Sequence, residues 1–143
     1  GRPFLPGVGR VMHGPTIWPE GFAHVDDLAA LEQERGLFSA NIYLRVPPTG
    51  GDLHIWNVAF RDRWSFYTNA QTLSWLTTPD QESQRKLRAK LPEPLRLRPA
   101  PGDLVLLCAQ RPHAVQGFPI GTRVSLQSFI THGGSGEALV IDN

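Results

Sequence analysis

Short runs rich in Val, Ile, Leu, Phe and Trp, each soon cut by Gly or Pro, make up most of this chain. That punctuation predicts an all-β domain of many short strands, because Pro presets φ and Gly admits the positive φ that turns require. The pattern places strands over Arg10–Trp18, Phe22–Asp26, Ala40–Val46, Asp52–Asn57, Leu95–Arg98, Asp103–Cys108, His113–Gln116 and Thr122–Thr131, with turns at Pro47–Gly51 and Pro99–Asp103. Residues two apart on a strand share a face. In the last strand Arg123, Ser125, Gln127 and Phe129 therefore point one way, and Val124, Leu126, Ser128 and Ile130 the other. In Ala40–Val46 the apolar Ile42, Leu44 and Val46 lie opposite Tyr43, on a face that calls for a cover. Eight strands suit a sandwich or a jelly-roll barrel.

One segment departs from the period of two. Thr77–Leu91 reads as a short helix with Thr78 as N-cap, Pro79 at the first helical position, acids early and bases late, an order that suits the helix dipole. It sits in an insertion, 58–94, that also carries Trp64, Phe66, Tyr67 and Trp75. These rings either line a cleft or pin a long loop onto the sheet. The tail from Thr131 reads as a Gly/Ser link followed by a few residues that pack elsewhere.

At 143 residues the chain has the length of one domain, 1–143, with a single core. Its formal charge is +1, and its 12 Arg and 2 Lys are dispersed, which argues against a nucleic-acid or membrane-surface partner and for a small molecule. The single cysteine, Cys108, excludes an internal disulfide and reads as buried filler in an apolar run. No apolar stretch approaches the ~20 residues of a membrane span and no signal peptide opens the chain, so a cytoplasmic location is expected.

The chemistry centres on a His-Val-Asp triplet, His24 to Asp26. With 5 His and 13 acidic residues, roughly half of one such triplet arises by chance, so it needs partners. His113 on a neighbouring strand would complete two imidazoles and one carboxylate on one face of a metal, the facial triad of non-haem Fe(II) oxygenases. Arg123 supplies a second clue. If its face is interior, the guanidinium demands an anion, and a dicarboxylate held through two parallel hydrogen bonds would satisfy it.

These pieces, HVD (His24, Asp26), NIYL (41–44), GGDL (50–53), PGDLVLL (101–107), RPHAV (111–115) and GTRVSLQSF (121–129), come in the order of a known family. The chain resembles the Fe(II)- and 2-oxoglutarate-dependent dioxygenases, specifically their prolyl-hydroxylase-like and small-molecule branch, from about Arg10 to Thr131. The resemblance implies a double-stranded β-helix, or jelly roll, with a short helical insertion. It implies that His24, Asp26 and His113 hold iron while dioxygen and 2-oxoglutarate serve as co-substrates. Arg123 would pair with the distal carboxylate of 2-oxoglutarate, helped by Tyr43 and Ser125. Leu53, Val115 and Phe129 match apolar positions around it, and Asn41 a polar contact. Trp56 and Phe129 are candidate substrate contacts, although a core or edge place is the commoner case for an aromatic such as Trp56. Hydroxylation of an unactivated C–H bond of a small molecule, such as an amino acid or natural-product intermediate, is the implied reaction. Asp26 disfavours halogenation, since related halogenases carry Gly or Ala there. Family members also carry helices ahead of the barrel, so an N-terminal covering region is expected beyond this chain.

Other residues compete for these roles. His54 is turned away from the site if Leu53 and Ile55 face inward, His13 and His132 lack a partner pattern, and Asp27 is expected to cap the following turn or to be solvated. Two other functions compete: a protein side-chain hydroxylase, and a non-catalytic cupin-like binding module in which Arg123 pairs with an internal acid.

Overall fold

A computed structural model describes residues 7–26, 36–58 and 69–142. Within them the chain forms eight strands and two helices: β1 (Val8–His13), β2 (Gly36–Arg45), β3 (Leu53–Ile55), α1 (Ala70–Thr77), α2 (Gln81–Lys90), β4 (Leu95–Leu97), β5 (Leu104–Cys108), β6 (His113–Val115), β7 (Thr122–His132) and β8 (Val140–Asp142). All pairings are antiparallel, in two sheets. The larger runs β1-β7-β2-β5 with β8 also on β7, and the smaller runs β4-β3-β6. The described fold is thus mostly antiparallel β-sheet with two short helices, consistent with a β-sandwich.

The long strand β7 organises the larger sheet. On one side it pairs with β2 from Gly36↔His132 to Tyr43↔Ser125. On the other, β1 covers Thr122 to Gln127 and β8 covers Phe129 to Thr131, end to end along one edge. The residues expected to pack elsewhere thus return to this sheet as β8. Alternation sets the faces: Ser39, Asn41 and Tyr43 of β2 and Arg123, Ser125 and Gln127 of β7 are buried. The opposite face exposes Ile42, Leu44, Leu104, Leu106 and Val11. Cys108 lies on this outer face opposite Phe38, half-buried, a correction to its expected place in the core.

The core cluster lies under the helices. Trp56, Ala114 and Ala23 pack against Leu73 and Leu76 of α1 and Leu87 of α2. His54 and Ala114 are register partners, so His54 and Trp56 share the helix-covered face while Leu53, Ile55, His113 and Val115 turn the other way. Trp56 is 2 % exposed in this core and carries the Arg88 guanidinium over its ring, which corrects its candidacy as a substrate contact. Trp75 is half-buried against the same cluster under Lys90, a pinning role; Trp64, Phe66 and Tyr67 lie outside the described residues, as does Asp27.

The helix boundary differs from expectation. Asp80, not Thr78, is the N-cap of α2, accepting a hydrogen bond from the Ser83 N–H at 2.9 Å, and Gln81 is the first helical residue. Asp is as good a cap as Thr, and here its side chain makes the bond. Glu82 pairs with Lys86, and Arg88 and Lys90 close the last turn, as the charge order predicts. The predicted strand Phe22–Asp26 reduces to a single bridge, His24↔His113.

The two predicted turns are built on glycines with positive φ, Gly50 and Gly51 in the first and Gly102 in the second. Arg98 ties the first together, donating to the Pro47 and Pro48 carbonyls at 2.8 and 3.1 Å, to the Gly50 carbonyl, and to Asp52 at 2.7 Å.

Candidate metal centre and anion-binding cleft

The His24–Asp26 segment is held from three sides. His24 and His113 exchange reciprocal backbone hydrogen bonds of 2.9 and 2.8 Å, and the Asp26 N–H donates to the Ala109 carbonyl at 2.9 Å. From α2, the Gln84 side chain accepts from the Ala23 N–H at 2.7 Å and donates to the Ala23 and Trp75 carbonyls at 3.0 and 3.1 Å. Arg88 donates to the Glu20 and Gly21 carbonyls. Gly21 lets the segment run this close: its φ is +76°, and an added Cβ would stand 1.9 Å from the Val115 carbonyl oxygen.

This clamp brings together one ligand atom each from His24, Asp26 and His113, all within 4.8 Å of one another. The Asp26 carboxylate oxygens stand 3.7 Å from His24 Nε2 and 3.5 Å from His113 Nε2. Each imidazole has its other nitrogen on a main-chain carbonyl: His24 Nδ1 on Phe22 and His113 Nδ1 on Arg111, both at 2.9 Å. A carbonyl only accepts, so both Nδ1 atoms carry the proton and both Nε2 lone pairs point at Asp26. That is the tautomer a metal-binding histidine needs, with the outer hydrogen bond fixing ring orientation. Asp26 Oδ2 is buried without a hydrogen-bond partner among the described residues. A buried carboxylate oxygen left so is costly, and a cation between it and the two imidazoles would satisfy it. The donor set, two imidazoles and a carboxylate, fits Fe(II).

Burial, then the neighbouring His24, pushes the His113 pKa below its ordinary value near 6.5; partial burial, then Arg96, does the same to His54. A depressed imidazole pKa means that the folded state binds fewer protons than the unfolded one. The metal-free protein should therefore be fully stable above about pH 6.5 and lose stability as the pH falls from there toward the folded-state values. Urea unfolding midpoints measured across that range check this, and a flat profile would contradict it.

A cleft of about 370 Å³ leads away from His24 between the two sheets, lined on one side by Met12 and Arg123 and on the other by Phe22 and Val115. Arg123 is 5 % exposed, lies over the Tyr43 ring at 5.0 Å, and among the described residues has the Met12 sulfur, at 3.6 Å, as its hydrogen-bond partner. Its Nε and the Ser125 hydroxyl are buried and without a hydrogen-bond partner among the described residues. Tyr43 is the register partner of Ser125, so the three side chains form one polar patch. Of the other residues read from sequence, Leu53 is buried beside Val115 and Leu97. Asn41 donates to Ser39 Oγ, which also receives Gln127, one step along β2 from Tyr43. Phe129 stands opposite Ser39, at the far end of β7 from Arg123, and is not among the cleft-lining residues.

The sequence reading missed Gln84 and Arg10. Gln84 falls on the stripe of Leu87 and Leu91, where a polar residue three before a buried Leu signals a buried amide. Gln84→Ala strands a buried N–H and carbonyl of Ala23 and is expected to cost about 1–3 kcal/mol. Urea unfolding measures that loss, and weaker metal binding should accompany it if Gln84 holds the segment in place.

No protein-family model matches the chain, and no curated protein matches it. Among the solved structures that share its fold are two of one enzyme. One is a novel N-substituted L-amino acid dioxygenase from Burkholderia ambifaria, with 17 % identity and a TM-score of 0.62 over 98 % of this chain. The other is that dioxygenase in complex with α-ketoglutarate, at 15 % identity and a TM-score of 0.61. This chain spans about half of their length, 54 % and 53 %.

Proposed function

We propose that this chain carries the catalytic site of an Fe(II)- and 2-oxoglutarate-dependent oxygenase on a jelly-roll scaffold, acting on a small molecule such as an amino acid. The observation that carries the reading is the buried, unpartnered Asp26 Oδ2 facing two imidazoles whose Nε2 atoms are free to bind a metal. The likeness of the whole described fold to an α-ketoglutarate-binding dioxygenase supports it.

Bound iron and 2-oxoglutarate would supply the oxidising chemistry, in which dioxygen and 2-oxoglutarate give succinate, carbon dioxide and an oxidised C–H bond of the substrate. The residues of this chain provide placement. His24, Asp26 and His113 would hold the metal, and the carbonyls of Phe22 and Arg111 keep both imidazoles in the binding tautomer. Arg123, with Tyr43 and Ser125, would receive the far carboxylate of the co-substrate, giving the orphaned Nε and hydroxyl a partner. The apolar wall of Phe22 and Val115 would limit water near the metal, and the cleft of about 370 Å³ leaves room for a compact substrate.

The test is conversion of 2-oxoglutarate to succinate by the purified protein with Fe(II), followed by mass spectrometry against a panel of small acids. Iron-dependent succinate formation that rises with one of them supports the reading. Succinate formation independent of added iron, or none with any compound, contradicts it.

A further inference from the structure

The cleft holds a second arginine that the binding of 2-oxoglutarate leaves unused. We propose that Arg10 anchors the substrate by its carboxylate, making the substrate a small organic acid whose apolar part lies against Phe22, Trp18 and Ile17. This rests on the oxygenase reading above and names the class of molecule the site accepts.

Arg10 is on β1 opposite Ser125, and Met12 is opposite Arg123, so Arg10 and Met12 point to the same side of the sheet as the buried arginine. Both arginines line the cleft together with His24. They differ in depth: Arg123 is buried, while Arg10 is exposed at the rim. Among the described residues no carboxylate lies within ion-pair reach of Arg10, and none of the residues lining the cleft is acidic.

The facing wall is apolar and aromatic. Phe22 stacks on the His24 ring at 5.6 Å, Trp18 packs on Phe22 at 6.0 Å, and Ile17 is 85 % exposed at the mouth. A cleft with one cation at its rim and apolar rings down to a metal ligand selects a molecule with a charged end and an apolar body. Arg suits the charged end because its planar fork grips a carboxylate through two hydrogen bonds. Held at the rim, such an acid would present its apolar C–H bonds to the metal end.

The test uses anaerobic protein saturated with Fe(II) and 2-oxoglutarate, so that the Arg123 pocket is filled. Calorimetry then compares hydrocinnamate and N-acetylleucine, each with its neutral amide. The acids should bind about ten- to a hundredfold more tightly than the amides. Arg10→Gln should erase that preference without changing 2-oxoglutarate affinity, and Arg10→Lys should keep part of it. Equal affinity for acid and amide, no binding of either acid, or a preference that survives in Arg10→Gln would overturn the proposal. So would loss of 2-oxoglutarate affinity in Arg10→Gln, which would assign Arg10 to the co-substrate and leave the oxygenase reading intact. If the wild-type protein does not bind Fe(II) and 2-oxoglutarate together, that reading itself fails and this proposal falls with it.

Discussion

Asp26→Ala is expected to remove high-affinity Fe(II) binding while leaving the metal-free protein as stable as the wild type, or slightly more so. The two halves of that result have one cause. The carboxylate is buried, with Oδ2 lacking any hydrogen bond, so in the metal-free protein it is a burden and not a brace. Among the described residues, a cation shared with His24 and His113 is what would compensate Oδ2. Loss of one of three protein ligands should weaken binding at least as much as loss of an outer-shell partner does, about 10–100-fold or more. Anaerobic Fe(II) titration by calorimetry reads the affinity, and urea unfolding reads the stability. A binding module in which Asp26 is an ordinary structural polar residue predicts the reverse: stability lost, metal binding unchanged.

Arg123→Met should show the same signature toward the co-substrate. The guanidinium is buried with its Nε unsatisfied and no carboxylate in ion-pair reach among the described residues. A buried charge without an anionic partner carries an uncompensated desolvation cost, which an apolar side chain of similar length removes. The ligand-free variant should therefore melt at or above the wild-type temperature. Its affinity for 2-oxoglutarate should fall by about 2–5 kcal/mol, the usual cost of truncating one partner of a buried, hydrogen-bonded charge pair. Thermal melts with and without 2-oxoglutarate check both: the ligand-induced rise should vanish in the variant. A variant that melts well below wild type without ligand would mean that Arg123 is held by an internal acid.

The parts of this site that sequence made legible are those set by strand parity. Arg123, Ser125 and Gln127 share a face because they are two apart, and that face is buried. The same parity already separated Trp56 from the site. With Leu53 and Ile55 turned toward His113 and Val115, Trp56 had to fall on the side of His54, where α1 and α2 cover it. The core place, the commoner case for such an aromatic, is the one Trp56 takes. The His24–Asp26 segment was harder, because it is not a strand in its own right. One bridge and side chains from α2 hold it, and nothing local records that Gln84 lies 61 residues from Ala23.

The helices and tail were obscured for other reasons. α1 has no side-chain cap bond at Asn69 and spans only eight residues, so it rests on Leu73 and Leu76 reaching the core and not on local signals. β8 follows a Gly/Ser stretch that reads as linker. It becomes a strand because β7 is longer than β1 and leaves the edge from Phe129 to Thr131 open for pairing.

The central claim is that one site in this chain binds iron and 2-oxoglutarate together. The most direct measurement is an anaerobic titration of the purified protein with Fe(II) and then 2-oxoglutarate, followed by visible absorption, with Asp26→Ala and Arg123→Met beside it. The account predicts a weak metal-to-ligand charge-transfer band in the wild type that saturates with 2-oxoglutarate and is lost or strongly weakened in both variants. No band in the wild type, with metal affinity no greater than in Asp26→Ala, would contradict it.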